Sequence, residues 1–380
     1  MPGEGATPDP IVSGGLPTAS PSPSLDPPPS PSPMPAAEAA APCLAASAAG
    51  PFLASDGASL TCAGRPLALT GFTFYPALIG GAKAWHDSHF SAYIDHILDM
   101  GAAAGQNLMR ATDQWDSHTR GQTADDPAVW ANMDYLVNAA RARGVFVVVD
   151  LSSFRWLLMS QGLDPNRTDL WTSFAAKVGA RYRDNPAVAF YSIAGEPAPP
   201  ATPAALSTLL GFYRATSQAL RDADPNHLIT VSGFNHMEDH PAIGWWQAID
   251  ALPTNDIVAV KTYSQHDLDL MPAIASYGRS VGKPVVDEEF GMPQGYGDAR
   301  SAGGAAYNGL SAGRAPFFDS VYSAGRKLGF AGFIVWNVGC QTGPTSYEVS
   351  PRTPAAWSVL VKYGAVPPAG TDSWIAALCP

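Results

Sequence analysis

From residue 67 to residue 363 the chain alternates short apolar runs with longer amphipathic ones, and few folds accommodate that rhythm. The short runs are 67–75, 107–111, 145–151, 188–194, 227–233, 257–263, 284–289 and 332–338. They are rich in Val, Ile and Phe and nearly continuous in apolar character, as strands covered on both faces are. The longer runs are 90–104, 128–143, 170–184, 205–223, 241–252, 268–281, 316–328 and 354–363. Many carry apolar residues at helical spacing, for example Met133, Leu136, Val137 and Ala140. Gly105, Gly144, Gly282, Gly329 and Gly364 stand just past the helical runs, where a left-handed cap favours glycine. Eight strands, each followed by a helix, predict an α/β chain closed into a (β/α)8 TIM barrel. The alternative is a doubly wound open sheet. That fold more often carries a glycine-rich fingerprint after its first strand, and Gly71-Phe72-Thr73-Phe74 is not one.

The ends of the chain read differently. Residues 1–42 are mostly Pro, Ser and Ala, as in Pro27-Pro28-Pro29-Ser30-Pro31. Such a stretch buries too little apolar surface to offset its ordering entropy, so a disordered, semi-rigid linker is expected there. Residues 43–380 form the expected barrel domain, entered through a short hairpin of 52–61 and 65–69 with turns at Gly57 and Gly64. The four cysteines, Cys43, Cys62, Cys340 and Cys379, include no C-x-x-C pair. Of three possible pairings, Cys43 with Cys62 and Cys340 with Cys379 is favoured, because each joins segments expected to lie close. Two disulfides suit an oxidising, extracellular location. Met1 is followed by no basic stretch and apolar core, so a secreted form would have had its signal removed. No apolar run has the length of a membrane span. The formal net charge of −11 argues against nucleic acid or an anionic membrane as partner.

In a parallel barrel the working residues stand at the C-terminal ends of the strands. Read in order, those ends offer Tyr75, Arg110, Asp150 with Ser152, Glu196, Asn235 with His236, Tyr263, Glu289, and Trp336 with Asn337. There is no metal-ligand spacing, no G-x-S-x-G elbow and no phosphate loop, so no metal or cofactor is expected. Two carboxylates among aromatic side chains are equipment for cleaving a glycosidic bond. One must be protonated, to donate to a poorly basic leaving oxygen. The other must be ionised, to attack the anomeric carbon. Arg110 and Tyr263 are placed to keep Glu289 ionised. The ends of the fourth and seventh strands face each other across the barrel, within reach of the roughly 5–5.5 Å separation of a retaining enzyme.

Several motifs strengthen this reading. Ile193-Ala194-Gly195-Glu196-Pro197 resembles the acid/base strand of clan A glycoside hydrolases, and Lys283-Pro284-Val285-Val286-Asp287-Glu288-Glu289-Phe290-Gly291 is similar to their nucleophile strand. The nearest match is family 5, the cellulase and β-mannanase family. Asn107-Leu108-Met109-Arg110, Thr262-Tyr263 and Trp336 fall where that family keeps an arginine, a tyrosine and a tryptophan. The resemblance covers roughly residues 50–365. It implies a retaining hydrolase with Glu196 as general acid/base and Glu289, the residue before Phe-Gly, as nucleophile. Asp287 and Glu288 are then expected to be wall residues or supports behind it.

The chain departs from the family at Gly195, where an asparagine is usual, and at Lys261, where histidine is common. The asparagine is expected to hydrogen-bond the sugar 2-hydroxyl, so Asn235 or His236 is a candidate replacement donor. Arg110, Tyr263, Trp336, Lys261, Trp115 and Trp156 complete the expected substrate-binding set, and Trp245 and Trp246 are further candidate platforms. The Glu-Glu-Phe-Gly strand and the Phe317 to Tyr322 helix favour β-1,4-mannan as substrate. A β-1,4-endoglucanase and an exo-acting β-mannosidase or β-glucosidase come next. The expected partner is a β-linked plant polysaccharide or oligosaccharide, handled by a monomer. Gly195 and Lys261 are the only features pointing instead to a non-catalytic carbohydrate-binding barrel. An unrelated barrel enzyme, such as an aldolase, is the remaining class.

Overall fold

Valine- and phenylalanine-rich runs such as Phe146–Asp150 cannot leave either face in water, and the structure covers both. The structure is a computed structural model that describes residues 43, 44, 50–75, 85, 90–115, 124–230, 233–234, 245–298, 307–367 and 379. The expected linker, 1–42, lies outside the described residues, as do Asn235 and His236.

The barrel strands are β4 (Leu69–Phe74), β5 (Leu108–Ala111), β6 (Phe146–Asp150), β7 (Val188–Ser192), β8 (Leu228–Thr230) with β9 (Gly233–Phe234), β10 (Val258–Thr262), β11 (Val285–Phe290) and β12 (Gly332–Val335). All pairings among them are parallel. The fifth barrel strand is in two pieces: β8 pairs with β7 and β9 with β10, so the ring of neighbours passes through eight positions. This is the expected (β/α)8 barrel.

The entry segment is one strand richer than expected. β1 (Leu53–Asp56), β2 (Ser59–Cys62) and β3 (Arg65–Pro66) form an antiparallel meander, because the turn at Gly57 divides the run 52–61. The disulfide Cys43–Cys62 ties residue 43 to the end of its middle strand, β2, and Cys340–Cys379 ties residue 379 to the loop after β12. Both pairings are those favoured from the sequence.

Helices α1 (Phe90–Ala103), α2 (Pro127–Ala142), α3 (Phe154–Ser160), α4 (Thr168–Tyr182), α5 (Pro203–Ala223), α6 (Trp245–Asp250), α7 (Gln265–Val281), α8 (Arg314–Leu328) and α9 (Pro354–Lys362) follow the strands. α3 has no counterpart in the sequence reading, being a short extra helix in the loop after β6. Caps fix where the others begin and end. Asp126 accepts from Ala128 N (2.9 Å) ahead of Pro127, and Thr202 accepts from Ala205 N (3.1 Å) ahead of Pro203. Gly282 and Gly329 end α7 and α8 in the left-handed region. At the start of α7, Ser264 accepts from Asp267 N (3.0 Å), and the Asp267 carboxylate accepts from Tyr263 N (2.8 Å). That reciprocal cap pins the backbone of Tyr263, one residue beyond β10.

Candidate active site

Arg110, on β5, is the hub of the strand ends. Its side chain is buried, and a buried guanidinium persists only when paired. Its Nε donates to Asp150 Oδ2 at 2.8 Å, its Nη2 donates to the same oxygen, and its Nη1 donates to Glu289 Oε2. Glu288 Oε1 lies 3.6 Å from Nε. Burial disfavours the charge, but Asp150, Glu289 and Glu288 together keep Arg110 protonated well beyond its ordinary range.

Two consecutive glutamates therefore address one arginine, which plain strand alternation forbids. A register shift explains it. β10 pairs Val260 with Asp287 and then Lys261 with Glu289, passing over Glu288. β11 is likewise one residue longer than β12 over this stretch. The bulge turns Glu288 and Glu289 to the same side. Asp287 interacts instead with Thr262 and Asp267, and burial drives its carboxyl well above the usual range. Burial also raises Glu288, against the lowering pull of Arg110.

Glu289 goes the other way. Burial alone would raise its pKa. The Lys261 ammonium (Nζ to Oε2, 2.8 Å) and the Arg110 guanidinium overcome that, with the Tyr263 hydroxyl donating to Oε1. The carboxyl is held down at about 2. Tyr263, buried beside this anion, stays a phenol and hence a donor.

Glu196 follows β7, and its side chain is 48% exposed against 8% for Glu289. Its φ of 52° lies in the left-handed region, where a non-glycine residue is strained. The residue before it is clamped on both sides: Gly195 N donates to Ser152 Oγ (2.7 Å), and Arg155 Nη2 donates to Gly195 O (2.8 Å). Lys261 Nζ stands 3.6 Å from Glu196 Oε1. With 2.8 Å on its other side to Glu289 Oε2, the sum of the two distances, about 6.4 Å, is the widest gap possible between those carboxylate oxygens.

A cavity of about 250 Å³ opens over these groups, lined also by Tyr75, Asp113 and Trp336. The Tyr75 and Trp336 rings meet at 4.7 Å. A second, more apolar cavity of about 680 Å³ adjoins it through Arg155 and Trp156, with Met159, Trp171 and Phe212 in its wall.

Of the residues expected from the sequence, the structure brings together Arg110, Glu196, Lys261, Glu289, Trp336 and Tyr263. Trp156 is half exposed and borders both cavities. Trp115 is not at the mouth: it is 2% exposed and packed against Trp130 and Phe174, so it belongs to the core. Trp245 is also buried, and Trp246 packs edge-on to Tyr277. Asp113 and Arg155 also line the cavity, and neither is among the residues expected from the sequence. Asp113 follows β5 by two residues with φ 60°, and a strand-end position was its only signal. Arg155 lies in α3, which the sequence did not disclose. A second polar cluster, Tyr191–Asp224–His227, precedes β8 at the opposite end of the barrel, where this fold places stability rather than chemistry.

A parallel barrel with carboxylates gathered at its strand ends, beneath an aromatic-lined cavity, defines a class: the barrel glycoside hydrolases of clan A. The sequence fixes the branch. Residues 64–310 match Cellulase (glycosyl hydrolase family 5), so the chain belongs to glycosyl hydrolase family 5 and is a glycoside hydrolase. No curated protein matches the sequence. Among solved structures, the chain resembles the endo-1,4-β-D-mannanase of Thermotoga petrophila RKU-1 at 16% identity and TM-score 0.59, over 78% of this chain and 99% of that one. The endo-1,4-β-mannanase of Rhizomucor miehei gives 14% and 0.62 (83% and 99% covered). The endocellulase of Pyrococcus horikoshii gives 13% and 0.55 (83% and 100% covered). At such identities these likenesses speak for the fold.

Proposed function

We propose that the enzyme is a retaining β-glycosidase in which Glu289 is the nucleophile and Glu196 the general acid/base. The observation that carries this is the shared ammonium of Lys261. It caps the gap between one oxygen of each carboxylate at about 6.4 Å, which admits the roughly 5–5.5 Å of a retaining pair and stops at the lower edge of the roughly 6.5–9.5 Å of an inverting one. The contrast in environment supports the division of labour. Glu289 is buried, ionised and held by three donors, as a nucleophile must be, whereas Glu196 is open to the cavity and to solvent exchange.

In the first displacement a Glu289 oxygen bonds to the anomeric carbon while the bond to the leaving oxygen breaks. Glu196 gives that oxygen its proton. The product is a glycosyl ester on Glu289. In the second, Glu196, now a carboxylate, takes a proton from water, the water oxygen bonds to the same carbon, and the ester breaks. Two inversions leave the anomeric configuration unchanged. Trp336 and Tyr75, their rings tilted by 46°, supply aromatic faces against which a sugar ring can pack.

β-1,4-Mannan is the favoured substrate. The Glu288-Glu289-Phe290-Gly291 strand is mannanase-like, and solved mannanases share the fold. β-1,4-Glucan is the second reading, favoured by the cellulase label of the family and the likeness to an endocellulase. Two disulfides accord with an extracellular enzyme acting on a plant polysaccharide or oligosaccharide as a monomer, carried on a Pro/Ser-rich linker of residues 1–42. The test is product analysis on mannan, glucomannan, cellulose and xylan, with the product anomer followed by proton NMR at early times. Retention is expected. Glu289→Ala abolishes turnover, whereas Glu196→Ala slows substrates with poor leaving groups far more than activated aryl glycosides. An inverted first product, or a Glu196→Ala variant as fast as the parent on polymer, overturns the assignment.

A further inference from the structure

Lys261 occupies the space opened by the glycine before the acid/base residue. A Cβ built on Gly195 would lie 3.3 Å from Ser152 Oγ and 3.5 Å from Lys261 Nζ. The volume that an asparagine amide at 195 would sweep is thus bordered by an ammonium. That ammonium is buried, with a side chain only 4% exposed, yet it faces the 250 Å³ cavity. It lies between Glu289 Oε2 at 2.8 Å and Glu196 Oε1 at 3.6 Å. An ammonium has three N–H donors, so two carboxylates leave it capacity for a ligand.

Resting on the catalytic reading above, we infer that Lys261 is the group that binds the C2 hydroxyl of the sugar at the reaction centre, in place of the missing asparagine. The geometry follows from bonding. The nucleophilic oxygen must touch C1, and O2 is carried by the adjacent carbon. A donor 2.8 Å from a Glu289 oxygen is therefore within reach of O2 when C1 is in line. The chemistry follows from charge. As Glu289 bonds to C1 its negative charge is consumed, its hold on Lys261 weakens, and the ammonium turns to O2. The contact strengthens as the reaction proceeds, and only such contacts accelerate it. Gly195 and Lys261 are then one linked change rather than two losses, because an amide and an ammonium compete for one volume. Lys261 is also a specificity element, since glucosides and mannosides differ only in the direction of the C2 hydroxyl.

The test is an enzyme-by-substrate cycle. kcat/KM is measured for the aryl β-glycoside that the enzyme hydrolyses best and for its 2-deoxy counterpart, with the parent and with Lys261→Met. A charge-assisted hydrogen bond corresponds to about tenfold to 100-fold. Lys261→Met is expected to shrink the preference for the 2-hydroxy substrate by at least tenfold. An unchanged preference, with both substrates slowed alike, overturns the inference and leaves Lys261 acting only on Glu289. Gly195→Asn and Gly195→Asn/Lys261→His give an independent readout. The single variant crowds the ammonium and loses activity, and the double variant is expected to recover at least tenfold of it. A double variant no better than the single overturns the linkage. Glu289→Ala is run alongside: turnover that survives in it refutes the nucleophile assignment, and is thereby distinguished from a failure of the Lys261 inference.

Discussion

Replacing Tyr263 by phenylalanine removes one donor from the Glu289 carboxylate and keeps the aromatic ring. A hydrogen bond to a charged group contributes about 1.5–3 kcal/mol. One pKa unit corresponds to 1.36 kcal/mol, so the Glu289 carboxyl should climb by about one to two units. From about 2 in the parent it should move into the range of about 3 to 4. In the proposed mechanism Glu289 works as the anion, so the raised value moves the acid limb of the kcat/KM profile upward in pH. The assay is hydrolysis of an activated aryl β-glycoside between pH 2.5 and 6, with the fold checked by circular dichroism at each pH. At pH 6 a carboxyl of pKa about 4 is still about 99% ionised. Any loss at pH 6 therefore reports misplacement of the Glu289 carboxylate, and only the limb reports its charge. An acid limb that stays in place while the fold is intact would show that Tyr263 does not stabilise the anion.

Other consequences can be measured directly. Glu289 binds its proton more weakly in the folded state than in the unfolded chain. Its contribution to stability is complete above roughly pH 4.5 and drains away as pH falls toward 2. Urea denaturation of Glu289→Gln should accordingly lose less stability than the parent across that window. Glu288 has the opposite sign: burial raises it, so stability declines as pH rises above the unfolded carboxylate range. Calorimetry of Glu288→Gln should show a melting temperature above the parent's at pH 8 and a difference that closes at pH 4. Removing Cys340–Cys379, whose partners are 39 residues apart, should cost about 4 kcal/mol by chain entropy, read as a lower denaturation midpoint for Cys340→Ser/Cys379→Ser. Tyr191→Phe, at the far end of the barrel, should cost about 1 kcal/mol of stability and leave kcat unchanged.

What the sequence discloses here is what depends on periodicity and order along the chain. Strands such as Phe146–Asp150 and Val188–Ser192 are apolar on both faces, so eight of them in alternation with helices define the barrel. The strand ends then place Arg110, Tyr263 and Glu289 on one rim, and the structure agrees. Direction is less legible. Trp115 lies in a loop by sequence, but its ring turns inward between Trp130 and Phe174, a choice made by packing with residues far along the chain. The same holds for Glu288, whose orientation depends on how β10 and β11 slip past each other. α3 is not legible in the sequence, because seven residues beside a strand are too few to display a helical period. Lys261 was visible as a departure, but its closeness to residue 195 arises only when β7 and β10 are brought to the same mouth.

The extra residue in β11 acts as a spacer. Were the same residues paired without a bulge, strict alternation would carry Glu289 to the helix side, along with Asp287, and present only Glu288 to Arg110. Deleting Glu288 should therefore remove one acid and the bulge together: Asp287 and Glu289 would become neighbours, alternation would set them on opposite faces, and Glu289 would still stand opposite Lys261. Transplanting this strand into another barrel would need the neighbouring registers as well as the residues. Aim, in this wall of the molecule, is inherited from a miscount between adjacent strands.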